Sequence, residues 1–417
     1  MGALTVPRIL VVADDLSGAA DCGIAFVRSG LSTVVMFSGD ATPVAAADTL
    51  ALDADSRHLP QVEAAAIHQR LVRRHLSDGV LLYKKIDSTL RGNIAAELAA
   101  VIPLAGTAIV APAFPDTGRT TRDGRVHVND VPLEATEIWQ REKLTGVADI
   151  AAMLAQAGVR PVRVGLSLVR AEQAALQQAL ESMAQGGANA IVCDAETNQD
   201  LGAIATASAR MTCRHFWVGS AGLAHHLAPA AGIVATPASP VTIVPGGPVL
   251  VAVGSLSAVS RGQARRLAQE PSVASVIVAS EALRKGEFHP AWQIAASALE
   301  TALRSRDDVL LAIDTGDKPD LSEGWALCEA LGRLVLPFAG RLGAVVATGG
   351  ETARALLTAM GAAGLRLAYE IEPGVVQSTT EGGRRLPVVT KAGAFGTPET
   401  LVHCRAVLHG TAARLES

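Results

Sequence analysis

The chain has 417 residues, of which 49% are hydrophobic and 3% aromatic, and it carries a formal net charge of −4. Its length exceeds the roughly 250–300 residues at which a single core stops growing, so two domains are expected. An acidic balance without a basic stripe argues against a nucleic-acid surface, and no run of about 18 apolar residues offers a membrane span.

Five scattered cysteines (Cys22, Cys193, Cys213, Cys328, Cys404) form no CxxC pair, and the first residues lack a signal-peptide pattern. Both features suggest reduced thiols in a cytoplasmic protein. Richness in Ala, Gly, Val and Leu suits an α/β fold: two three-layer domains with mostly parallel sheets and an active-site cleft between them.

Ile9–Ala13 reads as a buried strand that ends in Asp14-Asp15-Leu16-Ser17-Gly18. A helix from Cys22 to Gly30 and a strand over Thr33–Phe37 would complete a βαβ unit. Paired acids after a first strand can orient a hydroxyl, accept its proton or hold Mg²⁺. One of them is expected to cap the helix and the other, Asp15, to reach the ligand. The turn lacks GxGxxG, Phe37-Ser38-Gly39-Asp40 offers only a weak ribose-binding acid, and no GxxxxGK[ST] occurs anywhere. A Rossmann dinucleotide site is therefore disfavoured and a Walker-type loop excluded. A strand over Thr49–Leu52 then empties into Asp53-Ala54-Asp55-Ser56-Arg57, a polar run, and Val62–Leu76 reads as a helix.

The densest chemistry follows the apolar strand Val80–Leu82, in Tyr83-Lys84-Lys85-Ile86-Asp87-Ser88-Thr89-Leu90-Arg91-Gly92-Asn93. Such a strand-to-helix turn opens into the crevice where open α/β sheets bind ligands. Arg91 can fork onto a carboxylate, and Lys84 and Lys85 act as point charges. Asp14, Ser88 and Asn93 are further candidate contacts, and Asp15 or Asp87 is the candidate general base. The next strand, Ala108–Pro112, leads to Phe114, Asp116, Arg119 and His127, which could wall a polar pocket. Later, Phe216-Trp217-Val218-Gly219-Ser220-Ala221-Gly222 repeats a strand–Gly–helix theme with exposed amides at the helix start.

Prolines and glycines crowd residues 236–248, the expected linker between a substrate domain (1–235) and a nucleotide domain (249–417). In the second half, three strands run into small-residue turns: Gly254-Ser255-Leu256-Ser257, Gly349-Gly350-Glu351-Thr352 and Ala392-Gly393-Ala394. Asp314-Thr315-Gly316-Asp317 follows a fourth. Glycine turns before helices let backbone amides approach phosphate. The candidate cofactor contacts are Ser257, Gly349, Gly350, Glu351, Thr352 and Gly393.

These stretches together resemble the four-carbon acid sugar kinase family, once known only as a domain of unknown function. The resemblance rests on Ala13–Ala19, Lys84–Asn93, Val218–Leu223, Gly254–Ser257, Gly349–Thr352 and Lys391–Gly396, and covers nearly the whole chain. It implies Mg²⁺-assisted, ATP-dependent phosphorylation of the C4 hydroxyl of a tetronate such as threonate or erythronate. It also implies ATP contacts from Ser257, the Gly349–Thr352 turn and Gly393. Ser17, Ala392 and Ala394 depart from the residues frequent in the family, which bears on fine specificity. The Lys84–Arg91 wording is closer to threonate and erythronate kinases than to 3-oxo-tetronate kinases. The partner is then a small sugar acid, and a homodimer is carried as the oligomeric expectation. The rival readings are a non-catalytic sugar-acid sensor, which would release no ADP, a 3-oxo-tetronate kinase, and a dehydrogenase, which NAD rather than ATP would protect from melting.

Overall fold

The structure is a computed structural model and describes residues 7–39, 46–141, 146–233, 235, 245–254, 257–305, 307–314 and 323–411. Asp40, most of the expected linker (236–244), Ser255, Leu256 and Thr315 to Asp317 lie outside the described residues. The strands are β1 (Ile9–Ala13), β2 (Thr33–Met36), β3 (Thr49–Asp53), β4 (Leu81–Lys85), β5 (Thr107–Ala111), β6 (Arg119–Arg122), β7 (Arg125–Val128), β8 (Val131–Pro132), β9 (Pro161–Val164), β10 (Ala190–Cys193) and β11 (His215–Gly219). They continue with β12 (Val249–Val253), β13 (Val273–Ala279), β14 (Asp308–Asp314), β15 (Ala344–Thr348), β16 (Gly364–Glu372), β17 (Val375–Glu381) and β18 (Pro387–Lys391). They fall into two compact units, Met1–Thr33 with Ala45–Ala238, and Val34–Val44 with Ser239–Ser417.

In the first unit a parallel sheet runs β3-β1-β4-β11-β5-β10-β9. All five β1 residues are buried, as befits a strand covered by helices on both faces. From β1 the chain goes on to β3 on one side and then to β4 on the other. That reversal is a topological switch point, where a crevice opens beyond the strand C-termini. The loops after β1 and β4 therefore meet at one place. A small antiparallel sheet, β6-β7-β8, branches off after β5.

In the second unit the order is β13-β14-β12-β15-β18, all parallel, followed by antiparallel β17, β16 and β2. The strand expected to complete a first parallel crossover with β1 thus belongs here instead. Val34, Val35 and Met36 pair antiparallel with Arg366, Leu365 and Gly364. An apolar run reveals a strand but not its partner. Val251, Val346 and Val389 share this unit's core with Leu267, Leu401 and Val407 from its helices.

Candidate functional site

At the switch point of the first unit, Asp15 caps the helix Leu16–Arg28, accepting from the Gly18 amide at 2.9 Å. Capping thus falls to the acid expected to reach the ligand. Both acids also meet Arg57, which follows β3. Arg57 Nε donates to Asp14 Oδ2 at 2.7 Å and Nη2 to Asp14 Oδ1 at 3.0 Å. Its Nη1 and Nη2 donate to Asp15 Oδ2 and Oδ1, each at 2.9 Å. One guanidinium is thus held bidentately by two carboxylates, with Asp87 Oδ2 a further 3.7 Å away.

The loop after β4 closes on this group from the other side. Arg91 Nη2 donates to Asp87 Oδ2 at 2.6 Å, while Asp87 Oδ1 accepts from the Thr89 amide at 2.8 Å and from its hydroxyl. Leu90 (φ 58°) is left-handed although it is a buried leucine, local strain of the kind that clusters at functional sites. Gly92 (φ 90°) is required here, since a Cβ would lie 2.8 Å from Asp14 Oδ2. Burial alone would raise the Asp87 pKa, but Arg91 and Arg57 outweigh it and hold the carboxyl well below its usual range. Burial lowers Arg119, with Asp87 its largest opposing influence, which brings Arg119 into the same electrostatic group.

The two lysines of the loop part company. Lys84 is fully buried, its Nζ 2.9 Å from Glu97 Oε2 and donating to the Lys85 carbonyl at 2.7 Å. Ser56 Oγ donates to Glu97 Oε1 at 3.1 Å and lies 2.9 Å from His68 Nε2, which extends this network beneath the site. Burial would raise Glu97, but Lys84 and His68 hold it well below the carboxylate range, and burial with Lys84 lowers His68. The Lys84 ammonium is therefore committed to Glu97. Lys85 lies on the acid side, its Nζ 2.8 Å from where a Cβ at Gly18 would stand.

The other predicted contacts are distributed unevenly. Ser88 is half-buried in the loop. The Asn93 amide donates to the Ser56 and Leu59 carbonyls at 3.2 and 2.9 Å, tying the two loops together. Phe114 is buried, its ring 6.4 Å from that of His225. Asp116 is exposed and accepts from Asn198 at 2.7 Å. His127 sits on β7, its Nδ1 3.2 Å from the carbonyl oxygen of Arg125. His127 thus stays within its own hairpin, whereas Asp116 ties its loop to the start of the helix Asn198–Ala209. The Gly222 amide is capped by Ser220 at 3.1 Å, and a Cβ on Gly222 would meet the Ala113 carbonyl at 2.5 Å. This glycine turn serves close packing.

In the second unit the three glycine turns stand side by side, because β12, β15 and β18 are parallel neighbours in register: Val253 opposite Thr348, and Thr348 opposite Lys391. Ser257 caps the helix Ala258–Leu267 through the Ser260 amide at 3.0 Å and donates to the Gly393 carbonyl at 2.5 Å. Gly349 (φ 90°) precedes the helix Gly350–Ala359, and its amide donates to the Lys391 carbonyl at 2.8 Å. Glu351 is exposed on the first turn of that helix, whereas Thr352 is buried, its hydroxyl 3.4 Å from Cys328 Sγ. A helix N-terminus beside glycine turns is an anion site. Gly349→Ala should cost about 1–3 kcal/mol, because the left-handed backbone strains any Cβ; an unchanged melting temperature would refute this.

Two α/β units, one gathering carboxylates and guanidiniums at a switch point and the other with glycine turns after parallel neighbouring strands, define a two-unit α/β protein with its polar chemistry at strand C-terminal ends. Residues 9–227 match a sugar-binding N-terminal domain, and residues 250–401 match a nucleotide-binding C-terminal domain. A D-threonate kinase of Cupriavidus necator is 46% identical over 401 residues, 94% of this chain and 96% of that protein. One from Bordetella bronchiseptica is 34% identical, covering 95% of this chain and 96% of its own. A crystal structure of a Haemophilus influenzae protein shares the fold at TM-score 0.72 and 20% identity, over 96% of this chain and 100% of that one. The chain belongs to the four-carbon acid sugar kinase family.

Sequence reasoning missed Arg57 and Glu97. Arg57 stands in a polar run at a strand end, a signal that was visible but carried no role. Glu97 lies inside an apolar helical stretch, where a lone acid at a buried position calls for a partner.

Proposed function

We propose that this chain is an ATP-dependent kinase that phosphorylates the C4 hydroxyl of D-threonate. The observation that carries the reading is the Arg57–Asp14–Asp15–Asp87–Arg91 group at the switch point of a chain 46% identical to a D-threonate kinase. Three D-threonate kinases, at 46, 34 and 33% identity, stand above a D-erythronate kinase at 27%, which supports threonate over erythronate. In this reading the first unit binds the acceptor and the second the nucleotide. Arg91 and Lys85 take the substrate carboxylate and hydroxyls. Asp87, already engaged by Arg91, Thr89 and Arg57, holds those cations in place. Asp15, with 19% of its side chain exposed, accepts the C4 hydroxyl proton.

Mg²⁺ would accompany ATP and shield its phosphates. Among the described residues no group of three or more His, Cys, Asp or Glu side chains is gathered to hold a metal. The five cysteines are free, and four of them are buried, which fits a reducing cytoplasm. Among the described residues no helix is long and apolar enough to cross a membrane.

The test is ADP release with Mg-ATP against D- and L-threonate, D- and L-erythronate and 3-oxo-tetronates. D-Threonate should give the highest kcat/KM, and Asp15→Asn should lower kcat by about 10²–10⁴-fold, as loss of a general base does. A higher kcat/KM with another tetronate would overturn the substrate assignment. Near-normal turnover of folded Asp15→Asn would overturn the base.

A further inference from the structure

We propose that Lys391 is a positioning residue for the nucleotide's phosphates, acting by turning three backbone amides of the 392–396 loop outward. The inference rests on the kinase reading and adds a residue and a mechanism to its nucleotide site. Lys391 is 1% exposed, and its Nζ donates to the carbonyls of Ala392, Gly393 and Phe395 at 2.9, 3.2 and 3.0 Å. A trans peptide is planar, so a carbonyl that points inward sends the following N–H the opposite way. The amides of Gly393, Ala394 and Gly396 must therefore face away from Lys391. Among the described residues none of the three donates to the protein, and Ala394 and Gly396 are exposed.

Other side chains hold the same arrangement. Ser257 and Ser260 donate to the Gly393 carbonyl at 2.5 and 2.7 Å, and Gln263 to the Phe395 and Thr397 carbonyls at 3.1 and 2.8 Å. Gly396 (φ 87°) leaves no room for a side chain, since a Cβ would lie 2.3 Å from Thr400 Oγ1. Burial lowers the Lys391 pKa to about 8, and carbonyl dipoles are the ammonium's direct partners. The result is a row of outward-facing amides backed by a buried cation, which suits phosphate oxygens.

Calorimetry of the full chain with ATP and with adenosine separates this role from simple scaffolding. Lys391→Met should weaken ATP by at least about tenfold while leaving adenosine affinity and the KM for D-threonate within about twofold, because only phosphate uses the amides. Unchanged ATP affinity, or equal losses for ATP and adenosine, would overturn the inference. Should Lys391→Met fail to fold, Ser260→Ala decides. It removes one donor to the Gly393 carbonyl and should weaken ATP about threefold relative to adenosine, the scale of one hydrogen bond; an unchanged ratio would overturn the inference. A wild-type chain that binds no ATP would instead sink the kinase reading itself, and this inference with it.

Discussion

Arg57→Met should lower kcat/KM for D-threonate by about 10³-fold, equivalent to about 4 kcal/mol of transition-state stabilisation. It should also destabilise the fold by about 1–3 kcal/mol, less than a fully buried pair would lose, because Arg57 keeps 21% of its side chain exposed. Arg57 is the common counter-ion of Asp14 and Asp15, with Asp87 within 3.7 Å. Without it, Asp14 and Asp15 lose their shared counter-ion and the positive charge left in the crevice is spent on the acids rather than on a carboxylate substrate. Arg57→Lys keeps the charge but not the two bidentate contacts, so it should fall between wild type and Arg57→Met. Kinetics and urea unfolding on the three proteins check this. Turnover of Arg57→Met within a few-fold of wild type would rule out the organising role.

The second large effect belongs to the network beneath the site. Lys84→Met should destabilise the fold by about 3–5 kcal/mol, because the buried Glu97 carboxylate loses its cation. The double variant Lys84→Met/Glu97→Leu should recover most of the loss, since replacing a whole buried pair by apolar groups is often near neutral. The network also has a pH signature. The folded state depresses the Glu97 pKa, so the stability this supplies is fully present above the unfolded value of about 4.3 and drains as pH falls below it. Asp87 acts in the same direction. Urea unfolding from pH 7 to pH 3 should show a shallower acid loss for Glu97→Gln than for wild type. Parallel curves, or a double variant no better than Lys84→Met, would argue against the pairing.

The parts legible in the sequence were those written locally. Apolar runs gave β1, β4, β12, β15 and β18, and the polar or glycine-rich stretches after them gave the loops that form both sites. Pairings across long sequence separations were not legible. Arg57 meets Asp14 and Asp15 across 43 and 42 positions, and Lys84 meets Glu97 on a different element. One further signal lies in β4 itself. Lys84 and Lys85 are consecutive in β4, and successive side chains of a strand point to opposite faces. Two adjacent lysines could not both serve one ligand, and the acid spaced to meet the inward one was Glu97. Asp15 shows the converse, since capping and ion pairing need not exclude each other when a carboxylate has two oxygens.

The route of the chain bears on how such a protein can be divided or rearranged. It joins the second unit at Val34, returns to the first at Ala45 and rejoins the second at Ser239. No single cut in the gene yields two complete halves. A fragment ending near residue 238 would carry Val34-Val35-Met36 without Gly364-Leu365-Arg366, exposing an apolar strand edge of the kind that seeds aggregation. The complementary fragment would lack the strand that closes its antiparallel side. Gene fusion, domain exchange or circular permutation would have to keep that early excursion with the later half.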